Sequence, residues 1–169
     1  MNAQALRALQ APLKQRYREN PADALITLHA HASLGNAITC RVESGQARVE
    51  AGLHPATGGS GEHACSGDML LEALAACAGV TMRAVATALE IPLGNGSVHA
   101  EGELDFRGTL GVAKDAQVGF RAIRLHFDLE TAATPEQVQK LVALTERFCV
   151  VYQTLRTPPS FSVSYTLKA

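Results

Sequence analysis

An α+β fold with a largely antiparallel sheet follows from the order of patterns along this chain of 169 residues. Three short alternating segments precede one long apolar helix, two more follow it, and a second helix and a last alternating segment end the chain. No internal repeat or shift of composition divides the sequence. A single domain over residues 1–169 is therefore expected, with residues 1–20 as an N-terminal helical extension. A chain of this length buries roughly two thirds of its unfolded surface and needs no staple.

The long helix is S-G-D-M-L-L-E-A-L-A-A-C-A-G-V-T-M-R-A-V-A-T-A-L-E-I-P, from Ser66 to Pro92. Ser66 suits an N-cap, Asp68 complements the positive end of the dipole, and Pro92 stops the helix. At about 100° per residue, Asp68, Glu72, Gly79, Arg83 and Glu90 share a narrow stripe. Leu70, Ala73, Leu74, Val80, Thr81, Ala84 and Ala88 lie opposite, with Cys77 expected on the deepest face. So much apolar circumference exceeds what the few strands can cover, which predicts an obligate dimer.

Before Pro21, Leu6, Leu9 and Leu13 mark an amphipathic helix that Pro12 would bend or restart. Ile26 to Ala32, Ile38 to Val42 and Ala47 to Ala51 then alternate, separated by Gly35-Asn36 and Ser44-Gly45, as in an antiparallel meander. The loop H-P-A-T-G-G-S-G-E-H-A-C leads into the central helix; it lacks G-K-[ST] and any lysine, which argues against a nucleotide site. Beyond Pro92, Val98, Ala100, Leu104 and Phe106 face inward on one strand, and Ile123, Leu125, Phe127 and Leu129 on the next. Thr134-Pro135-Glu136-Gln137 is a capping box that opens a helix with the inward stripe Val138, Leu141, Val142, Cys149 and Tyr152. Pro158-Pro159 ends it, and Phe161, Val163, Tyr165 and Leu167 read as a last strand.

A net charge of −1 with no Trp and few aromatic residues leaves no basic stacking face, so nucleic acid is not an expected partner. The N-terminus lacks the order of a signal peptide, and Glu72 and Arg83 interrupt the longest apolar run, so a soluble cytoplasmic protein without a membrane partner is expected. Thiols stay reduced in that compartment, so Cys40, Cys65, Cys77 and Cys149 are not a structural disulfide set. Cys77 and Cys149 fall on the inward faces of two helices whose packing would bring them together, although a buried Cys is often only a small hydrophobe. Cys40, alternating with Ile38 and Val42, reads as core. Cys65 with His63, His54, His29 and His31 fits no standard zinc spacing; incidental loop residues come first, an auxiliary redox thiol second and a metal site third.

The segment L-L-E-A-L-A-A-C-A-G-V-T-M, followed by E-R-F-C-V-V-Y-Q-T-L, resembles the two cysteine signatures of the OsmC/Ohr family, the osmotically induced and organic-hydroperoxide-resistance proteins. The similarity runs from about residue 25 to residue 169. It implies an OsmC-like fold, with antiparallel sheets wrapped around long central helices in an intertwined homodimer. It also implies a thiol-dependent peroxidase without metal or cofactor, with Cys77 as peroxidatic and Cys149 as resolving thiol. Its partners would be a small-molecule hydroperoxide and an external dithiol reductant. The other reading is a non-enzymatic relative that binds a small hydrophobic ligand in its dimer cleft. The family's peroxidases activate the first cysteine with an arginine near the first hairpin and a glutamate opening the central helix. Here those places read A-S-L-G-N-A and S-G-D, which leaves Arg41, Arg48, Arg147 and Arg156 as candidate cations and Asp68 to orient one of them.

Overall fold

A computed structural model of the chain describes residues 2–20, 31–34, 39–44, 47–111 and 113–167. Helix α1 (Ala3–Glu19) runs through Pro12 without interruption. Strands β1 (His31–Leu34), β2 (Thr39–Ser44) and β3 (Ala47–Gly52) form the expected meander, in which Val42 opposes Ala32 on one side and Val49 on the other. The expected strand residues 26–30, the first turn, Ile38 and Gly45 lie outside the described residues, as do the side chains of Cys40, Arg41 and Arg48. A two-residue strand β4 (Ala64–Cys65) pairs in parallel with the end of β3 and delivers the chain to α2. The loop before it holds a single 3-10 turn, Pro55–Thr57, capped by the His54 imidazole.

Helix α2 (Ser66–Leu89) begins one residue earlier than a Ser66 cap would place it. Cys65 occupies the cap position in extended conformation and makes no side-chain capping bond, while Ser66 is already helical. At the far end Glu90 adopts a left-handed conformation (φ 58°), and its N–H returns to Ala86 and Thr87 carbonyls. Arg83 reaches over this end and donates to the Leu93 carbonyl (2.7 Å) and the Gly94 carbonyl, tying α2 to the turn before β5.

The buried side of α2 is the ridge Leu74, Ala78, Met82 and Ala86, spaced four residues apart. It lies about a quarter turn from Cys77, which is only half-buried, so Cys77 does not sit on the deepest face. The reason is that the apolar arc is divided: Leu74 and Ala78 pack within the chain, whereas Leu70, Ala73, Val80, Ala84 and Ala88 are exposed. By length and composition α2 is apolar enough to cross a membrane. Its buried ridge, however, serves this domain and packs on β5, α4 and α5.

Strands β5 (Gly96–Glu103) and β6 (Ala122–Leu129) form a second, antiparallel sheet with Val98 opposite Phe127 and Ala100 opposite Leu125. The expected alternation holds over these residues, which turn toward α2 while His99, Glu101, Arg124, His126 and Asp128 turn out. Leu104 and Phe106, expected on the same strand, lie beyond its end, because the Asp105 carboxylate caps a helical turn that Phe106 opens. Between the strands a short helix α3 (Phe106–Thr109) is capped by Asp105, whose carboxylate also holds Arg107 at 2.5 Å. That pairing depresses the Asp105 pKa to about 2.

Helix α4 (Pro135–Phe148) opens with the expected capping box, Thr134 Oγ accepting from Gln137 N and Gln137 Oε1 from Thr134 N. It does not continue to residue 156. Cys149 is extended (φ −73°, ψ 109°), and a separate helix α5 (Val150–Arg156) starts after it. The two clusters of the core meet along α2: Met82, Ala86, Ile91 and Leu141 at one end, Leu74, Ala78 and Cys149 at the other. A fully buried leucine such as Leu74 or Leu141 contributes about 2 kcal/mol through its removal from water. Among the described residues the final segment is not paired as a strand; Phe161, Val163, Tyr165 and Leu167 stand 85 to 95 % exposed.

Candidate functional site

The break at Cys149 creates the site. The first N–H groups of any helix lack partners within it, and α5 directs its own at two sulfur atoms. Tyr152 N donates to Cys149 Sγ at 3.5 Å, so Cys149 is the N-cap of α5 through its thiol. The N–H groups of Val151 and Val150 act on Cys77. Small residues at Ala78 and Cys77 let α5 lie close to α2, and Cys149, with no exposed surface, packs in one apolar cluster with Cys77, Val98, Val151, Tyr152 and Leu155. The expected pair is therefore brought together.

The two thiols are driven in opposite directions. Burial pushes the Cys77 thiol up, but the Val151 N–H, the Cys149 thiol, the Val150 N–H and the Thr81 hydroxyl favour its thiolate and together outweigh burial. Its pKa is lowered. Burial also raises Cys149, and there the Tyr152 N–H is outweighed: donating its proton toward Cys77 and lying beside that charge both keep Cys149 protonated. Ionisation is thus favoured at one sulfur and disfavoured at the other, a polarity that suits attack at Cys77 and condensation at Cys149.

None of the groups acting on Cys77 among the described residues is a guanidinium. Arg147 lies over the Phe148 ring at 5.3 Å, and Arg156 ends α5 beside a different cavity. Asp68 stays in the first turn of α2, about two and a half turns away from Cys77. Among the described residues, the backbone donors, the Cys149 thiol and Thr81 are the groups that favour the Cys77 thiolate, and the side chains of the candidates Arg41 and Arg48 lie outside them. Nothing in a sequence marks a free N–H, although Thr81, four residues after Cys77, was available to be noticed.

The loop residues near Cys65 are engaged elsewhere. His54 caps its 3-10 turn and stacks on Phe106 with ring centroids 4.9 Å apart, and His63 packs against Gly52, where a Cβ would come within 2.9 Å of it. Among the described residues, no group of three His, Cys, Asp or Glu is arranged to hold a metal. Beside the thiol pair a shallow groove of about 460 Å³ follows the α4–α5 break, with Phe148, Val150 and Gln153 on its walls. Phe148 and Val150 are 55 and 69 % exposed there.

Solved structures share this fold. An OsmC-like protein from Mycoplasma pneumoniae superimposes with a TM-score of 0.68 at 19 % identity, covering 79 % of this chain and 89 % of that one. An organic hydroperoxide resistance protein from Elizabethkingia anophelis gives 0.64 at 20 % identity over 79 % of this chain and 91 % of its own. The organic hydroperoxide resistance protein OsmC of Legionella pneumophila gives 0.62 at 22 % identity, again over 79 and 91 %. At these identities the likeness is one of fold. No curated protein matches the chain in sequence. The family model of OsmC-like proteins does match, over residues 59–164, a span that holds α2, both β5 and β6, the α4–α5 break and both cysteines. The chain is a member of the OsmC-like protein family.

Proposed function

We propose that the chain is a thiol-dependent peroxidase that reduces organic hydroperoxides. Cys77 thiolate attacks the distal oxygen of R–O–OH, the O–O bond breaks, and the alkoxide leaves with a proton as R–OH. Cys77 is then a sulfenic acid. The Cys149 thiol condenses with it, losing water and forming a Cys77–Cys149 disulfide, which an external dithiol reduces by exchange. The observation that carries this reading is the packing of Cys77 against the buried Cys149 at the first turn of α5, with the opposite drive on the two thiols in support.

Family membership and the hydroperoxide resistance of structurally similar proteins support the substrate class. The walls around Cys77 support organic over inorganic peroxide. Leu74, Ala78, Val98 and Val151 share one apolar cluster with it, and each 100 Å² of ligand surface buried there contributes about 2.5 kcal/mol that hydrogen peroxide cannot gain.

The working form in this proposal is a homodimer in the reducing cytoplasm. Val80 is 72 % exposed at the centre of an apolar face of α2, and Phe148, Val150 and the apolar side chains of residues 161–167 are uncovered as well. A second copy is the surface of matching character.

The test is a free-thiol count on reduced protein before and after one equivalent of cumene hydroperoxide, with peptide mapping under non-reducing conditions. Two thiols lost per chain in a 77–149 bridge is the expected result. No loss would leave the non-enzymatic ligand binder as the better reading, and a dominant bridge to Cys65 would move the resolving role there.

A further inference from the structure

A second concave site lies on the far side of the cysteine cluster. A cavity of about 470 Å³ opens between β6 and the α4–α5 pair, walled by Leu74, Ile123, Leu125, Phe127 and Leu155. Leu74 and Leu155 also pack on Cys149, yet neither cysteine lines the cavity. It is a separate compartment behind the thiol pair, of a size at which small-molecule ligands bind.

The charges on its wall are uneven. Arg121, just before β6, and Arg156, the last residue of α5, both line it, against one carboxylate, Glu146 of α4. Arg121 and Arg156 are exposed, and among the described residues neither guanidinium has an ion-pair partner within reach. Asp105 feels the charge of Arg121 but is already held by Arg107. The site therefore offers an apolar interior with an excess of one positive charge, supplied by groups whose planar forks match a carboxylate.

We propose that this cavity binds a medium- to long-chain carboxylate, with the alkyl chain against β6 and α5 and the head group at Arg121 and Arg156. Glu146 opposes that head group, which fixes the sign of its contribution. The binding needs no thiol chemistry, so it stands apart from the peroxidase reading.

Calorimetric titration of the full-length protein with decanoate, below its micelle concentration, and with decanol tests it. Saturable binding of decanoate at one site per chain is expected, with decanol at least tenfold weaker and Cys77→Ser unchanged. Arg156→Gln and Arg121→Gln should each weaken decanoate several-fold, and Glu146→Gln should tighten it. All three variants should bind decanol as the wild type does, which shows that the cavity has survived the substitution. Equal affinity for acid and alcohol, or a Glu146→Gln variant with weaker decanoate binding, would overturn the assignment of the head group. The absence of saturable binding would overturn the proposal as a whole.

Discussion

The middle of α2 and the break between α4 and α5 each hold one thiol of the pair, and they treat it in opposite ways. Around Cys77 the helix has committed its backbone N–H groups to its own hydrogen bonds, so α2 has none to offer its cysteine. At residues 149–152 the chain leaves one helix and enters another, and the N–H groups of a new first turn have no partner inside α5. Those of Val150 and Val151 act across the gap on Cys77, and that of Tyr152, with a smaller share from Val151, acts on Cys149. In the proposed reaction the attacking thiol is thus favoured as thiolate by the end of a neighbouring helix, while the thiol that sits at that end is enclosed and its ionisation is disfavoured. A thiol and the donors that favour its thiolate need not share an element.

The largest effect that can break this comparison is an exchange of roles. In a peroxidase assay with a dithiol reductant, Cys77→Ser is expected to reduce turnover to the uncatalysed background, and Cys149→Ser to allow one turnover per chain. If Cys149→Ser loses even the first turnover while Cys77→Ser retains it, the direction of the two thiols has been assigned backwards.

The same helix invites a second contrast, between the ridge Leu74–Ala78–Met82–Ala86 and the exposed apolar face around Val80. One is covered by this chain and the other is assigned to a partner. Val80→Asp puts a charge in that proposed contact, where burial without a partner costs several kcal/mol, so sedimentation should show association weakened by roughly a hundredfold or more. An unchanged oligomeric state would place the contact elsewhere.

Val150→Pro isolates the backbone contribution. Proline is well accepted at the first position of a helix, and the extended conformation of Cys149 (φ −73°, ψ 109°) is the one a residue before proline prefers. The variant should keep α5 and lose one donor to Cys77. A hydrogen bond to a charged group is worth about 1.5 kcal/mol at the low end, so iodoacetamide labelling of Cys77 near neutral pH should slow by roughly five- to tenfold. Labelling at the wild-type rate would return the search to arginine.

Most of the frame was legible in sequence because it is written in periodicity and turn chemistry. The alternation of Ile123, Leu125, Phe127 and Leu129 and the Thr134–Gln137 capping box both appear where expected. The break at Cys149 was not, because F-C-V-V-Y-Q continues an apolar helical pattern with no Gly or Pro to interrupt it. The donors that act on Cys77 escaped for a related reason: an N–H is common to nearly every residue, and only its position at a helix end makes it available. The period-two pattern of Phe161, Val163, Tyr165 and Leu167 reads as a last strand, and the segment is not one, because pairing needs a partner strand and none lies beside it within this chain among the described residues.

Thr81→Val sharpens the comparison at smaller scale, because the hydroxyl of Thr81 is the least of the groups that favour the thiolate and the change preserves shape. A two- to threefold slower labelling of Cys77 is expected, below the effect of Val150→Pro. The reverse order would make the side chain, not the helix end, the main source of activation.

The smallest effect is on stability, and its sign follows from the direction of each shift. Cys77 has a lower pKa folded than unfolded, so its thiolate adds stability that is fully present above the unfolded value, near 9, and is lost as pH falls through the folded value. Cys149 is raised, so the folded state resists its ionisation and stability declines once pH exceeds the unfolded value. Below pH 9 the Cys77 contribution is therefore the one that varies. Under reducing conditions, the stability of wild type relative to Cys77→Ser should rise as pH goes from 7 toward 9, by an amount of the order of 1 kcal/mol, the scale of one charge-assisted hydrogen bond. Urea unfolding at a series of pH values measures it. A difference that falls over this range would mean that burial outweighs the donors of α5, and the thiolate at Cys77 would then be the form the fold disfavours.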